Sequence, residues 1–206
     1  MKKLMLATVL VALGATPVAA APPTLTLKAA PAIVAYGGTT TLSGTLSTQK
    51  AGESIDIQAQ PCGQNAFKRV ASVATTTGGA FTYSAKPTVN TNYQAKLKGA
   101  TSSPVAVKVA PLLTLKKRSL GKFTASVTAA ESFVGKYVVF QRLRNSKWVT
   151  LKKVTLKTVK TTTAPTQVSS ATFRLSLKAK LRVRSILPLT QAGTCYVAAK
   201  SRVVRS

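Results

Sequence analysis

The sequence lacks histidine and has almost no acidic residues. Its 206 residues include 30 lysines and arginines but only 3 acids, Glu53, Asp56 and Glu131, which gives a formal net charge of +27. General acid and base catalysis at neutral pH uses histidine or closely paired carboxylates, and zinc or calcium sites need several Cys, His or carboxylate ligands. With two cysteines as the other candidate ligands, the composition predicts a protein that is not an enzyme and holds neither a metal nor a cofactor.

The N-terminus has the pattern of a secretory signal peptide. Lys2 and Lys3 precede an apolar run over residues 4–13, and small residues at 17–20 predict cleavage after Ala20. The run is shorter than the roughly 20 apolar residues that a membrane-spanning helix needs. No cysteine follows the cleavage site to accept a lipid anchor. The sequence therefore predicts residues 1–20 as a signal peptide and a mature chain that is secreted, extracellular or associated with the cell wall.

The rest of the chain is predicted to be all-β. Apolar and polar residues alternate in short runs, and no window holds the 3.6-residue period of an amphipathic helix without a glycine, proline or β-branched break. Alternation directs Ile55, Ile57 and Ala59 inward. In residues 21–110 the pattern predicts seven strands, near residues 23–29, 38–46, 53–60, 67–74, 80–85, 92–98 and 104–110.

The large aromatic residues are predicted to pack in the core. Alternation places no set of rings on one outward face, as an aromatic platform for a ligand would require. The residues predicted for the core are Phe81, Tyr83, Tyr93, Phe140, Trp148 and Phe173.

The chain also repeats itself. Four stretches can be laid over later ones in the same order: 52–58 over 135–141, 67–73 over 148–154, 80–83 over 172–175, and 93–97 over 181–185. The gaps fall only in turns, which favours two copies of one fold. This predicts two tandem β-sandwich domains, at residues 21–110 and 111–206. Chance similarity between strand-rich stretches is the alternative, and it stays open.

Most of the first predicted domain resembles a known family. The sequence runs Tyr36-Gly-Gly-Thr-Thr-Thr-Leu-Ser-Gly-Thr-Leu, then Ala51-Gly-Glu, then Thr-Thr-Gly-Gly-Ala-Phe at 76–81 and Asn90-Thr-Asn-Tyr-Gln-Ala. These motifs resemble bacterial immunoglobulin-like (fibronectin III-like) repeat domains of secreted and surface proteins. The likeness extends more weakly into residues 111–206. It implies immunoglobulin-like β-sandwiches used as spacer, adhesion or binding modules, with no catalytic residues to carry over.

Positive charge is concentrated in the second predicted domain. Residues 21–110 hold 8 basic and 2 acidic residues, whereas residues 111–206 hold 20 basic and 1 acidic residue. The predicted polyanion-binding residues are Arg174, Lys178, Arg182, Arg184, Lys152, Lys153 and Arg202. Alternation turns the first two outward on one strand and the next two outward on the following strand. The two strands are therefore expected to make one cationic face.

Such a face attracts polyanions without reading a sequence. The predicted partner is an anionic polymer or membrane surface, such as teichoic acid, acidic polysaccharide or lipid headgroups, and non-specific DNA is a further candidate. No zinc finger, RNA-binding aromatic signature or recognition helix indicates base-specific binding. A charged surface that only keeps the protein soluble is the alternative. The oligomeric state stays open.

The sequence predicts a secreted, non-catalytic structural or binding protein that associates with anionic cell-envelope polymers. The alternative is a protein-binding module, an adhesion factor or an inhibitor, that uses loops at a sandwich end. An enzyme is a distant third interpretation. It would have to use serine with lysine or an unassisted cysteine, and no Ser-x-x-Lys sequence lies at a predicted helix start.

Each of the two cysteines is expected at the boundary between the predicted domains. Cys62 follows the third predicted strand of the first domain, and Cys195 precedes the last strand of the second. If successive strands alternate in direction, both positions face the linker near Pro111. In an oxidising compartment this predicts an interdomain disulfide. Two buried free thiols and an intermolecular bridge are the competing interpretations.

Overall fold

The computed structural model describes residues 21–206, so the predicted signal peptide lies outside the described residues. The protein is all-β. A 3-10 turn, Thr77–Gly79, precedes the sixth strand. The strands of the N-terminal segment, residues 21–110, are β1 (Lys28–Ala30), β2 (Ile33–Ala35), β3 (Thr40–Thr45), β4 (Ser54–Pro61), β5 (Lys68–Ala74), β6 (Ala80–Ala85), β7 (Thr91–Leu97), β8 (Ala100–Thr101) and β9 (Val105–Ala110).

The C-terminal segment, residues 111–206, has nine further strands. A short helix, α1 (Leu189–Ala192), lies between the last long strand and the two short final ones. The strands are β10 (Leu112–Ser119), β11 (Lys122–Ala129), β12 (Tyr137–Arg144), β13 (Lys147–Thr155), β14 (Thr158–Thr161), β15 (Gln167–Arg174), β16 (Arg182–Leu187), β17 (Ala199–Lys200) and β18 (Val204–Arg205).

These strands form four sheets, two in each segment. The N-terminal sheets have the orders β1-β3-β6 and β2-β9-β7-β4-β5, with β8 paired to β7. The C-terminal sheets have the orders β10-β11-β15-β14 and β13-β12-β16-β17, with β18 also paired to β16. Among the residues that the structure describes, no sheet joins strands from both segments. The C-terminal orders are those of the A-B-E-D and C′-C-F-G sheets of the immunoglobulin fold.

Each segment buries the facing sides of its two sheets. In β4, Ile55, Ile57 and Ala59 are buried and the residues between them are more exposed, as alternation predicted. In the C-terminal segment, the Phe140 ring of β12 lies 5.1 Å from the Phe123 ring of β11 and 5.1 Å from the Phe173 ring of β15, measured between centroids. Aromatic contacts of this kind join the two sheets and stabilise the sandwich.

A glycine permits close packing in the N-terminal segment. Gly44 of β3 lies opposite Phe81 of β6. A Cβ atom at Gly44 would collide with the Phe81 ring and with the carbonyl oxygen of Thr26. This glycine belongs to the stretch that carries the family resemblance, and its role here is to let a buried aromatic ring lie against the strand.

The seven strands predicted for residues 21–110 are present, with two differences. The predicted strand at 23–29 corresponds to β1, which pairs with β3, whereas β2 at Ile33–Ala35 was not predicted and pairs in parallel with β9. Pro31 lies between β1 and β2 and has no N–H group with which to continue a ladder. The second difference is β8, which has two residues and is too short to show alternation in the sequence.

The two segments share details beyond the general course of the chain. Strands β4 and β12 are each 8 residues long. Each carries an irregularity in its pairing with the next strand, between Ile57 and Gln58 in β4 and between Phe140 and Gln141 in β12. These positions correspond in the sequence repeat, so the same β-bulge occurs at the same place in both segments.

A buried serine is also repeated, and it corrects part of the sequence alignment. Ser102 Oγ accepts a hydrogen bond from the Ala95 N–H at 2.9 Å, and Ser201 Oγ accepts one from the Ser185 N–H at 2.9 Å. Ala95 therefore corresponds to Ser185, whereas the alignment matched it with Val183. Because side chains alternate with a period of two, a slip of two residues leaves every side chain on its predicted face.

A disulfide bond and several hydrogen bonds join the two segments. Cys62 and Cys195 are bonded, with Cα atoms 5.4 Å apart, which confirms the predicted pairing over free thiols or an intermolecular bridge. Asn90 donates from its main-chain N–H to the Cys195 carbonyl at 2.9 Å and from its side chain to the Thr194 carbonyl at 3.2 Å. These contacts fix the junction at one end of each segment.

Candidate polyanion-binding surface

The C-terminal segment presents basic side chains on the outer side of the sheet that contains β12 and β16. In β16, every second residue from Val183 onward is buried, so the intervening residues face outward. Paired residues on neighbouring strands share one side of a sheet. Ile186 pairs with Val139 and Lys200, Val139 pairs with Lys153, and Arg182 pairs with Arg205, so these lysines and Arg205 also face outward. We call the outward cations the basic face: Lys153, Arg182, Arg184, Lys200 and Arg205.

Arg184 is held in place by two neighbours. Its Nε donates a hydrogen bond to Gln141 Oε1 at 3.0 Å, and its guanidinium carbon lies 4.0 Å from the centre of the Trp148 ring. The negative face of an indole ring attracts a cation in this position. Burial lowers the pKa of Arg184, but arginine remains charged in proteins at neutral pH. The guanidinium is therefore an ordered cation on the outer side of the sheet.

Trp148 lies on this outer side, which corrects the prediction that it packs in the core. An extra residue in β13 opposite Phe140 shifts the register, so that Trp148 pairs with Leu143. Tyr137 is a second outward ring, and Lys153 Nζ lies 5.0 Å from its centre. The other rings follow the prediction: Phe81, Tyr93, Phe140 and Phe173 are buried, and Tyr83 packs partly against the core.

The predicted single face of four cations is wrong. Arg174 ends β15 in the four-stranded sheet, whereas Arg182 and Arg184 lie in β16 in the other sheet. Each faces outward, as alternation predicted, but the two sheets of a sandwich expose opposite sides. Lys178 lies in the connection between the sheets, after β15 has ended. Alternation assigns a residue to one side of a strand and does not assign the strand to a sheet.

The remaining predicted residues are exposed but lie apart. Lys152 is in β13 next to Lys153 of the basic face. Arg202 lies between β17 and β18 and lines an open groove of about 390 Å³ with Leu112 and Val204. Lys200 of the basic face was not among the predicted site residues, because its strand has two residues and shows no alternation.

Within the part of the chain that the structure describes, no acidic residue forms an ion pair with the basic face. In residues 21–206, the ion pair within 4.0 Å joins Arg69 to Asp56 at 3.6 Å, in the N-terminal segment, and the Ser72 hydroxyl also donates to Asp56. Glu131, the acidic residue of the C-terminal segment, is exposed in the connection between β11 and β12. The positive charge of the basic face is therefore left for solvent or for an external anion.

Residues 21–206 contain no group of three or more Cys, Asp or Glu residues arranged to hold a metal ion. Over the same range, no helix has both the length and the apolar character needed to cross a membrane.

Comparisons with known proteins do not place the chain in a family. No family model matches it, and no curated protein matches it. Among solved structures, the chain is similar to bovine butyrophilin at 12% sequence identity and a TM-score of 0.37, over 90% of this chain and 99% of that one. The immunoglobulin strand order of the C-terminal segment is read from the strand pairings of this chain and not from that similarity.

Proposed function

We propose that this chain is a secreted, non-catalytic binding protein that attaches to anionic polymers of the cell envelope, such as teichoic acid or acidic polysaccharide, through the basic face. Residues 21–110 and 111–206 are, in this proposal, two tandem immunoglobulin-like domains, and the second binds the polymer. The observation that carries the proposal is the Arg184 guanidinium, ordered by Gln141 and Trp148 among four further outward cations. The disulfide supports export, because such bonds persist in oxidising compartments.

The N-terminal segment offers an internal comparison for this surface. Where the second segment has Arg184, the first has Gln94, whose side chain donates to Gln58 at 2.7 Å just as Arg184 donates to Gln141. A neutral side chain can thus make the same hydrogen bond between these two strands. A surface that served solubility alone would gain nothing from a guanidinium ordered over an indole ring, so the difference favours a binding role.

Ordering of the cations favours binding for an entropic reason. A long basic side chain loses rotamer freedom when it grips an anion, and that loss subtracts from affinity. The Arg184 guanidinium and the Lys153 ammonium already lie against the rings of Trp148 and Tyr137, so part of this loss occurs on folding. Contacts with successive anionic groups release counterions, and binding is therefore expected to weaken steeply as salt rises.

Retention on an immobilised acidic polysaccharide tests the proposal. The variant with Arg184→Gln and Lys153→Gln removes two charges from the basic face and places glutamine where the first segment has Gln94. The control with Lys96→Gln and Lys108→Gln removes two charges from exposed positions of the first segment. We expect the face variant to elute at clearly lower salt than the control.

Two outcomes would argue against the proposal. Equal shifts in the two variants would mean that total charge, and not the basic face, governs retention. Tight binding to a folded envelope protein that resists moderate salt, with no retention on anionic polymers, would favour the protein-binding alternative.

A further inference from the structure

The hairpin between β10 and β11 exposes a leucine at its turn. Leu120 is 69% exposed, the largest value among the exposed large apolar side chains of residues 21–206. The turn is fixed, because the Leu175 N–H donates to the Gly121 carbonyl at 2.8 Å. Gly121 has a φ of 66°, in the left-handed region that favours glycine. Leu120 is thus presented to solvent by an ordered turn.

Basic residues lie near this leucine along the chain and on the neighbouring strand. Lys117 and Arg118 lead into the turn and Lys122 leaves it, and Arg174 is paired with Lys122 across β11 and β15. The connection from β15 to β16 returns to the same end and carries two more lysines. We call this end of the sandwich the tip, defined by Leu120 and the cations Lys117, Arg118, Lys122, Arg174, Lys178 and Lys180.

The connection that carries the two lysines is also held in place. The Ser206 hydroxyl donates to the Lys178 carbonyl at 2.7 Å, and the Lys180 N–H donates to the Ser206 carbonyl at 3.1 Å. Both the hairpin turn and the connection that carry the cations of the tip therefore have an ordered main chain.

The tip carries no acidic side chain among the described residues. Glu131 follows the end of β11, whereas the tip lies where β11 begins. An exposed apolar side chain with cations at the same end of the sandwich is complementary to a surface that is anionic on the outside and apolar beneath. An anionic bilayer has this structure, whereas a soluble polymer offers charge without an apolar layer and would leave Leu120 in water.

We propose that the tip docks end-on onto an anionic lipid bilayer, with Leu120 inserted at the headgroup boundary and the six cations near the lipid phosphates. The tip adjoins the basic face at Arg182 but shares no residue with it, and the basic face continues along the side of the sheet, so this inference goes beyond polymer binding. Each basic residue near an anionic membrane surface strengthens binding about fivefold. A single leucine adds a factor of the same order, far less than a lipid anchor supplies, and the docking is therefore reversible.

Co-sedimentation with vesicles tests the docking, using the full chain in every variant. Leu120→Ser is compared with Leu189→Ser, which alters an exposed leucine of α1 on the disulfide side of the segment. On vesicles of phosphatidylcholine and phosphatidylglycerol, we expect Leu120→Ser to weaken binding roughly threefold to tenfold and Leu189→Ser to leave it unchanged. Lys178→Gln with Lys180→Gln should weaken it about thirtyfold, from two losses of about fivefold each.

A fluorescence measurement locates the contact. Leu120→Trp and Leu189→Trp each add a tryptophan to the single native one, Trp148, which supplies a background common to both variants. We expect the emission of Leu120→Trp to shift to shorter wavelength with phosphatidylglycerol vesicles and to stay unchanged with phosphatidylcholine alone. Leu189→Trp should shift with neither.

The outcomes separate the tip from the basic face. Shifts at both added tryptophans or at neither, or equal vesicle binding by Leu120→Ser and the unchanged protein, would overturn the docking. So would a loss of retention of Leu120→Ser on soluble acidic polysaccharide that matches its loss on vesicles, because the tip would then bind polymers in general. Arg184→Gln changes the basic face alone. If this variant kept its full retention on polymer, that result would count against the proposed function and not against the docking of the tip.

Discussion

At the scale of single residues, one buried tyrosine in each segment reports on burial in the folded state. The pKa of Tyr93 is raised to about 12, from 10.0, by burial and in smaller part by the nearby Tyr83, and burial likewise raises the pKa of Tyr196 to about 12. Tyr196 also accepts a hydrogen bond from the Ala130 N–H at 3.0 Å. Because folding favours the neutral phenols, their contribution to stability is complete below pH 10 and is lost as the pH rises through 12.

Alkaline titration followed by tyrosinate absorbance is therefore expected to show a late stage near pH 12, accompanied by unfolding. Two of the 5 tyrosines, Tyr93 and Tyr196, should account for it. Tyr93→Phe and Tyr196→Phe should each remove part of the late stage, and the double variant should remove it entirely. A late stage of full amplitude in the double variant would contradict this assignment.

Single residues also mark where sequence reasoning succeeds and fails. The outward direction of Arg182 and Arg184 follows from their alternation with apolar neighbours, and the structure agrees. The ring that Arg184 stacks on could not be predicted, because Trp148 reaches the outer side only through an extra residue in the edge strand β13. A bulge adds one residue to a strand without a distinct sequence signal, and every side chain beyond it changes face.

At the scale of elements, a buried serine attaches the last strands of each segment. Ser102 follows β8 and Ser201 follows β17. Besides accepting from a strand N–H, each hydroxyl donates to the carbonyl of the next residue, Ser103 at 3.1 Å and Arg202 at 2.9 Å. The serine thus satisfies main-chain groups at the point where the final strand of the sandwich is interrupted.

Ser102 and Ser201 are expected to stabilise the folded state, whereas the hydroxyl of a third buried serine, Ser185, is not. Ser102→Ala and Ser201→Ala should each lower the free energy of unfolding by about 1–3 kcal/mol, because a buried N–H loses its acceptor. The Ser185 hydroxyl is buried without a hydrogen-bond partner, and its counterpart is Ala95, so Ser185→Ala should be neutral or stabilise by about 1 kcal/mol.

Urea denaturation measures these differences, with the exposed Ser103→Ala as the control. That variant should leave the free energy of unfolding close to its original value, because its hydroxyl faces solvent. A loss at Ser185→Ala equal to that at Ser201→Ala would show that the Ser185 hydroxyl has a partner in solution.

Long strands could be predicted and short ones could not. The 8 residues of β4 alternate over enough positions for the pattern to stand out. The two-residue strands β8, β17 and β18 give no period at all. Lys200 and Arg205 are therefore visible in the sequence as charges, while their place on the basic face depends on pairing with β16.

At the scale of the whole molecule, the disulfide is expected to dominate the coupling between the segments. It joins residues 133 apart in the chain, for which the loop-entropy account assigns about 5 kcal/mol. Reductant should therefore lower the melting temperature and widen the range of angles between the segments, as seen by small-angle X-ray scattering. The hydrogen bonds of Asn90 to Cys195 and Thr194 should keep part of the contact.

The double variant with Cys62→Ser and Cys195→Ser supplies the control for this prediction. It should match the reduced protein in both measurements, and reductant should have no further effect on it. An unchanged scattering profile after complete reduction would show that the hydrogen bonds alone hold the junction.

The junction could be predicted because strand direction is a simple consequence of successive antiparallel connections. Cys62 and Cys195 were assigned to the same end by counting strands, and the structure bears this out. The order of strands within the sheets is different, since it depends on contacts between residues far apart in the chain. For that reason the number of cations in the second segment could be read from the sequence, but which of them share a surface could not be predicted.

Glu131 beyond the end of β11 and the cations of the tip where β11 begins contribute a dipole moment to the C-terminal segment in addition to its net charge. An anionic surface exerts a torque on such a dipole as well as an attraction. At physiological ionic strength the field extends about 8 Å from the surface, so rotation takes place in the last moments before collision. In the proposed docking, encounters that begin side-on or backwards would be turned toward the tip, and capture would be faster than for an equally charged body with its charge spread evenly.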